Sequence, residues 1–235
     1  SDEFIEVILN RLKENAQSST EIIRNNSINA IAEAASKTLL LDDYLTKIAD
    51  DSPIGLHALS FFLFREHKKL RNRPLFKKWL MMVSKAKCED ISILNNFDYT
   101  FSSIIKDNDY QDYIIYCLEE WIASIDDYLS HDKIFVEYFG LTFQEIVKDK
   151  DLLSMVITKW LLKDEGIFLS VISGVISELS IRGLKELSLS KKILDSLMPR
   201  DIIFIIRRLL GIILDESILL SLILSFRNTI DAEQR

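Results

Sequence analysis

The sequence predicts an all-α protein. Three observations carry that expectation: a shortage of turn-forming residues, apolar residues at helical spacing, and a block of sequence that recurs about 42 positions later. Glycine and proline number 6 and 3 in 235 residues, whereas an average chain holds roughly three times as many. Sandwiches and barrels need a tight turn every ~8–12 residues, usually built from Gly, Pro or Asn-Gly, so that supply excludes them. Collagen-like and low-complexity chains are excluded for the same reason. An apolar fraction of 48% excludes disorder, because such a chain can bury enough surface to offset its conformational entropy.

Taken in order, residues 2–51 form a first helical unit with Ile22, Ile23, Ile28, Ile31 and Ala32 as its expected core. A second, 52–97, opens at Ser52-Pro53, a helix start with proline at the first position, and restarts at Arg73-Pro74. The third and fourth units, 98–140 and 141–183, are the clearest. Thr100-Phe101-Ser102-Ser103-Ile104-Ile105-Lys106-Asp107-Asn108-Asp109 returns as Thr142-Phe143-Gln144-Glu145-Ile146-Val147-Lys148-Asp149-Lys150-Asp151. Thr142 and Glu145 have the spacing of a capping box, and Thr100 is placed to cap in the same way. Asp109 and Asp151 are expected to cap the following helices. Ile114, Cys117, Leu118 and Trp121 then follow one helical stripe. A short helix is expected at 133–139, with a counterpart beginning at Gly166. A fifth unit, 184–228, carries no tryptophan.

Each of the clear units is a pair of helices whose apolar stripe has no cover within the pair, so it must stack on its neighbours. Trp79, Trp121 and Trp160 occupy one repeat position, 42 and 39 residues apart. With Phe101 and Phe143 they are the expected repeat core. Paired helices at this period resemble HEAT or armadillo-type repeat proteins, in pattern rather than in signature residues. The resemblance implies a right-handed α-solenoid of about five stacked hairpins, roughly 10–12 helices, forming one domain over 1–235. It also implies a non-catalytic scaffold that binds a protein partner along the stacked repeats.

The net charge of -7 hides a reversal along the chain. Residues 65–87 hold nine basic side chains against Glu66, and residues 89–127 hold ten acids against Lys106. Either the solvated faces of adjacent units complement one another, or Arg65, Lys68, Lys69, Arg71, Arg73, Lys77 and Lys78 form a surface for an acidic or phosphorylated ligand or a nucleic-acid backbone. The second option leaves room for two alternatives to the scaffold: a nucleic-acid-binding protein resembling HEAT-like DNA glycosylases, using the basic 65–87 segment, or a regulatory or sensor segment of a larger enzyme.

No catalytic, metal or cofactor residues are expected. His57, His67 and His131 have no second metal ligand at useful spacing, and the dinucleotide, P-loop and nucleophile-elbow motifs do not occur. His57 reads as a satisfied structural residue and His67 as part of the basic segment. Asp126 and Asp127 would diverge on a helix. Cys88 and Cys117 read as buried small hydrophobes, which suits a reducing intracellular compartment, cytoplasmic or nuclear. The start at Ser1-Asp2-Glu3-Phe4 reads as the edge of a fragment. The greasiest stretch, 201–226, is broken by Arg207, Arg208, Asp215 and Glu216, so a membrane span is not expected. Its apolar helices are expected to dock a further domain or to form a homodimer.

Overall fold

The computed structural model describes residues 2–125, 132–163, 165–184, 187, 189–213 and 215–233. Asp126, Asp127 and His131 lie outside them. The described residues are helical, with no strand among them. Fourteen α-helical segments and one 3-10 turn stand where 10–12 helices were expected, because several units break into short pieces. Packing divides the chain into two compact units, Ser1–Phe101 with Tyr116–Trp121, and Ser102–Ile115 with Ile122–Arg235.

In the first unit, α1 (Asp2–Asn15) packs on α2 (Glu21–Ala35), which is followed by α3 (Asp42–Asp51) and α4 (Pro53–Leu70). The buried stripe of α2 is Ile28, Ile31, Ala32 and Ala35, at i, i+3, i+4 and i+7. Ile22 and Ile23 are not core: they precede this stripe out of phase and are 73% and 44% exposed. Ser52 caps α4 as expected, its hydroxyl accepting the Gly55 N–H at 3.1 Å with Pro53 at the first position. Gly55 is required by a close approach of α3, since a Cβ there would stand 1.9 Å from the Ile48 carbonyl oxygen.

The chain continues through α5 (Phe76–Met81), the 3-10 turn Met82–Lys85 and α6 (Ile91–Ile104). Contacts set the directions of these helices. Glu33 meets Arg65 while the earlier Asn25 lines a cleft with Pro53 and Ile54, so α2 and α4 run side by side in one direction. Ser60 accepts from Asn96 at 3.1 Å and Phe64 meets Tyr99 at 4.7 Å, so α4 and α6 do the same. Behind them, the Trp79 indole N–H donates to Thr46 Oγ1 at 2.7 Å and Lys85 pairs with Asp50, which sets α5 along α3. The Trp121 indole N–H donates to the Ala86 carbonyl at 3.0 Å. Each of these two indoles reaches back 33 or 35 positions, to the preceding helical pair.

The remaining helices are α7 (Asn108–Ala123), α8 (Ile134–Tyr138), α9 (Gly140–Lys148), α10 (Lys150–Leu162), α11 (Gly166–Ile181), α12 (Lys191–Leu194), α13 (Pro199–Ile212) and α14 (Glu216–Glu233). In the second unit Trp160 of α10 packs edge-on against Phe135 of α8 at 5.1 Å and meets Phe168 of α11 at 6.2 Å. Phe143 of α9 stacks edge-on against Phe135 at 6.0 Å. Arg208 of α13 donates to the Leu161 and Lys163 carbonyls at the end of α10, where a cation suits the exposed carbonyl end of a helix. Ser190 N–H bonds to Ser154 Oγ at 2.8 Å, again one pair back.

The caps in the recurring block fall elsewhere than expected. Thr100 and Thr142 are buried inside α6 and α9 rather than at their N-cap positions; the Thr100 hydroxyl donates back to the Asn96 carbonyl at 2.8 Å. The caps are Asp107 and Asp149, two residues before the expected Asp109 and Asp151. Asp107 Oδ1 accepts the Asp109 N–H at 3.1 Å, and Asp149 Oδ1 accepts those of Asp151 and Leu152 at 3.0 and 3.1 Å. The physical reason is the apolar stripe: α6 already runs from Ile91, so Thr100 faces inward on its third turn. Replacing Asp149 by Ala should cost about 1 kcal/mol in urea unfolding, and Asp151→Ala a few tenths at most; equal losses would move the cap back to Asp151.

Candidate functional site

The basic segment begins on the last turns of α4 and ends beyond the 3-10 turn. Much of its charge is met by acids of α2, α3 and α4 itself. Arg65 pairs with Glu33 at 2.6 Å, Lys69 with Glu66 at 2.7 Å, and Lys85 with Asp50. Arg73 is not a surface residue. Its side chain is 13% exposed and pairs at 2.6 Å with Asp42, itself 9% exposed. Burial pushes the Asp42 carboxyl above its usual range, and Arg73 pulls it back down. Lys68, Lys77 and Lys78 are exposed, and Arg71 is half-buried. The pairs of Arg65, Arg73 and Lys85 thus run back to α2 and α3. In the second unit, Lys159 pairs with Asp112 at 2.7 Å and Lys106 with Glu145 at 3.3 Å.

The histidines exchange their expected places. His57 is exposed and borders two clefts, because its position on α4 faces away from α3. His67 is only 4% exposed. Its Nδ1 lies 3.2 Å from the Phe64 carbonyl, and its buried Nε2 has no partner among the described residues. Burial, with Arg71 and Lys68 nearby, pushes its pKa below the ordinary 6.5. Cys117 is buried, as expected, and burial raises its thiol pKa; Cys88 is half-buried in a turn rather than in a helix. Trp79, Phe101, Trp121, Phe143 and Trp160 are all buried. The Trp160 indole N–H differs from the other two indoles in having no partner among the described residues.

The feature that sequence reasoning missed is a pair of clefts on the face shared by α2 and α4. One, of about 470 Å³, has Ala30, Ala32, Ala58 and Phe62 in its walls, the half-exposed ring of Phe61, and the Glu33–Arg65 ion pair at its rim. Small alanines facing one another across two parallel helices leave this space. The Arg65 guanidinium lies over the Phe61 ring at 5.7 Å, a cation–π contact that holds the rim in place. The second cleft, of about 330 Å³, runs toward the start of α6 and is bordered by Asn25, Ile54, Asp90 and Ser92. Asn29 and His57 border both clefts, so the two form one groove. Only the cross-helix arrangement creates it. The signal available in sequence was three alanines opposite an aromatic, and that pattern has no unique reading.

The second unit exposes apolar side chains at its end. Ile203, Phe204 and Leu210 of α13 and Leu220 and Leu224 of α14 are partly exposed, while Ile202, Ile205, Leu209, Ile218, Leu222 and Phe226 are buried. No helix among the described residues is long and apolar enough to cross a membrane. Among the same residues no group of three or more His, Cys, Asp or Glu is placed to hold a metal ion. No protein-family model, no curated protein and no solved structure matches the chain.

The His67 environment fixes the sign of a pH effect. A folded pKa below 6.5 favours the neutral ring, so the unfolded chain binds more protons between the two values and stability falls as pH drops below about 6.5. The thermal midpoint of His67→Gln, which keeps a donor and cannot titrate, should fall less than that of the parent between about pH 7.5 and about pH 5. Equal falls would mean that His67 does not contribute.

Proposed function

We propose that the chain is a non-catalytic binding module, a HEAT-like right-handed solenoid of stacked hairpins that holds a protein partner on the face formed by α2, α4 and α6. The observation that carries this reading is the open groove across α2 and α4. It presents an aromatic ring and small apolar walls, and it lies on helices that run in parallel from one pair to the next. Parallel helices repeated side by side offer an extended surface to a second chain. The back-reaching bonds of Trp79, Trp121 and Ser190 support the stacked-hairpin arrangement.

The internal pairing of Arg65, Lys69, Arg73 and Lys85 weighs against the nucleic-acid alternative, because a cation already held by a carboxylate releases few counterions from DNA. Lys68, exposed on α4, and Lys78, exposed on α5, remain basic positions for an acidic partner. An intracellular setting belongs to this reading and rests on the two unpaired cysteines.

The test is affinity capture from the cells that make the protein, with cross-linking and mass spectrometry. The parent should retain a partner that cross-links to α2 or α4, and Ala58→Arg with Phe61→Glu should lose it while keeping the same helical circular dichroism. Capture that is indifferent to both changes would place the partner elsewhere. Salt-sensitive retention of duplex DNA that also survives them would replace this reading by the nucleic-acid one.

A further inference from the structure

The two ends of the groove differ in chemistry, and the difference specifies what a bound segment must carry. The Phe61 end is apolar, and its charges are already matched, Glu33 by Arg65 and Glu66 by Lys69. Bringing another charge there would desolvate it without a new counter-charge. An uncharged bulky side chain, by contrast, gains the burial of the Phe61 ring and the alanine walls.

At the other end the only charged lining residue is Asp90, and no Lys or Arg borders the cleft. One Asp90 oxygen, Oδ2, accepts the Lys87 N–H at 3.0 Å. The second oxygen accepts no hydrogen bond among the described residues. Asn25 also borders this cleft, though its Oδ1 is itself buried away from it. A cleft whose charge is a carboxylate suits an ammonium or guanidinium group, whose hydrogen bonds to a carboxylate are among the strong ones.

The spacing completes the pattern. Ile54 and Phe61, on α4, mark the two clefts and are seven residues apart, about 10 Å at ~1.5 Å per residue. An extended chain covers that distance in about three residues at ~3.3 Å each. The groove is open along its length, which suits a strand of polypeptide better than a small molecule needing near-complete enclosure. We infer that the groove takes an extended segment of the partner protein, with a bulky apolar residue in the Phe61 cleft and, about three positions away, a Lys or Arg on Asp90. This rests on the binding-module reading above and adds the sign and spacing of the partner motif.

The probe is a labelled peptide, Ac-GSWSGKSG-amide, titrated into the ¹⁵N-labelled protein and followed by amide shifts and anisotropy, alongside versions with its Lys changed to Glu or its Trp to Ser. The Lys peptide should shift α2, α4 and the Asn25 side-chain amide, and should bind about tenfold more tightly than either variant peptide. Asp90→Asn, which keeps an oxygen for the Lys87 N–H, should erase the preference for Lys over Glu, and Asp90→Lys should reverse it. Equal binding of the Lys and Glu peptides to the parent, shifts confined to other helices, or no binding by any peptide would overturn the inference. None of those three outcomes touches the binding-module reading, which stands or falls on whether the captured partner is lost from Ala58→Arg and Phe61→Glu.

Discussion

A helical pair in this chain has more apolar surface than it can cover by itself, and the structure follows from where the excess goes. Trp79 turns its indole back to Thr46, and Trp121 turns its indole back to Ala86. Both rings are buried, so the donor must be satisfied inside the protein. The oxygens that satisfy them belong to earlier segments of the chain. Charged side chains obey the same constraint, Arg65 to Glu33 and Arg73 to Asp42 in the first unit, Lys159 to Asp112 in the second. The bonds that join one helix to another thus span 31 to 47 residues, about one repeat.

That constraint also explains the groove. The α2 and α4 helices lie side by side and parallel. Where both faces carry small residues, as Ala30, Ala32 and Ala58 do, the shared surface is hollow and Phe61 stands at its edge. Gly55 permits the close approach of the end of α3 to the first turn of α4. The site is therefore a product of two packed helices rather than of a loop. Its two ends differ because one belongs to α2 and α4 alone and the other also meets Asp90 and Ser92 at the entry to α6.

The helical class, the recurring block and the Ser52-Pro53 start were legible because each depends on local spacing. The Asp107 and Asp149 caps were narrowly missed: the repeat pointed to the right block, but Thr142 and Glu145 imitate a capping box inside a helix that begins at Gly140. Ile22 and Ile23 looked like core because they are apolar, and only the phase set by Ile28, Ile31 and Ala35 turns them outward. Arg73 looked like surface because it is charged, and Asp42, 31 positions earlier, draws it in. His57 and His67 were misplaced for a common reason, since sequence gives the helix but not which neighbour covers which side. The groove was beyond reach for the same reason, its two walls coming from separate helices.

Native-state hydrogen exchange on the parent and on Trp79→Phe tests most directly whether each pair is held by its neighbour. Losing the indole donor should lower the protection of α3 to α5, by the order of ~1 kcal/mol expected for one net hydrogen bond with some loss of packing, and leave α10 and α11 unchanged. A uniform drop in protection across all helices, or no drop next to Thr46, would contradict neighbour-by-neighbour stacking.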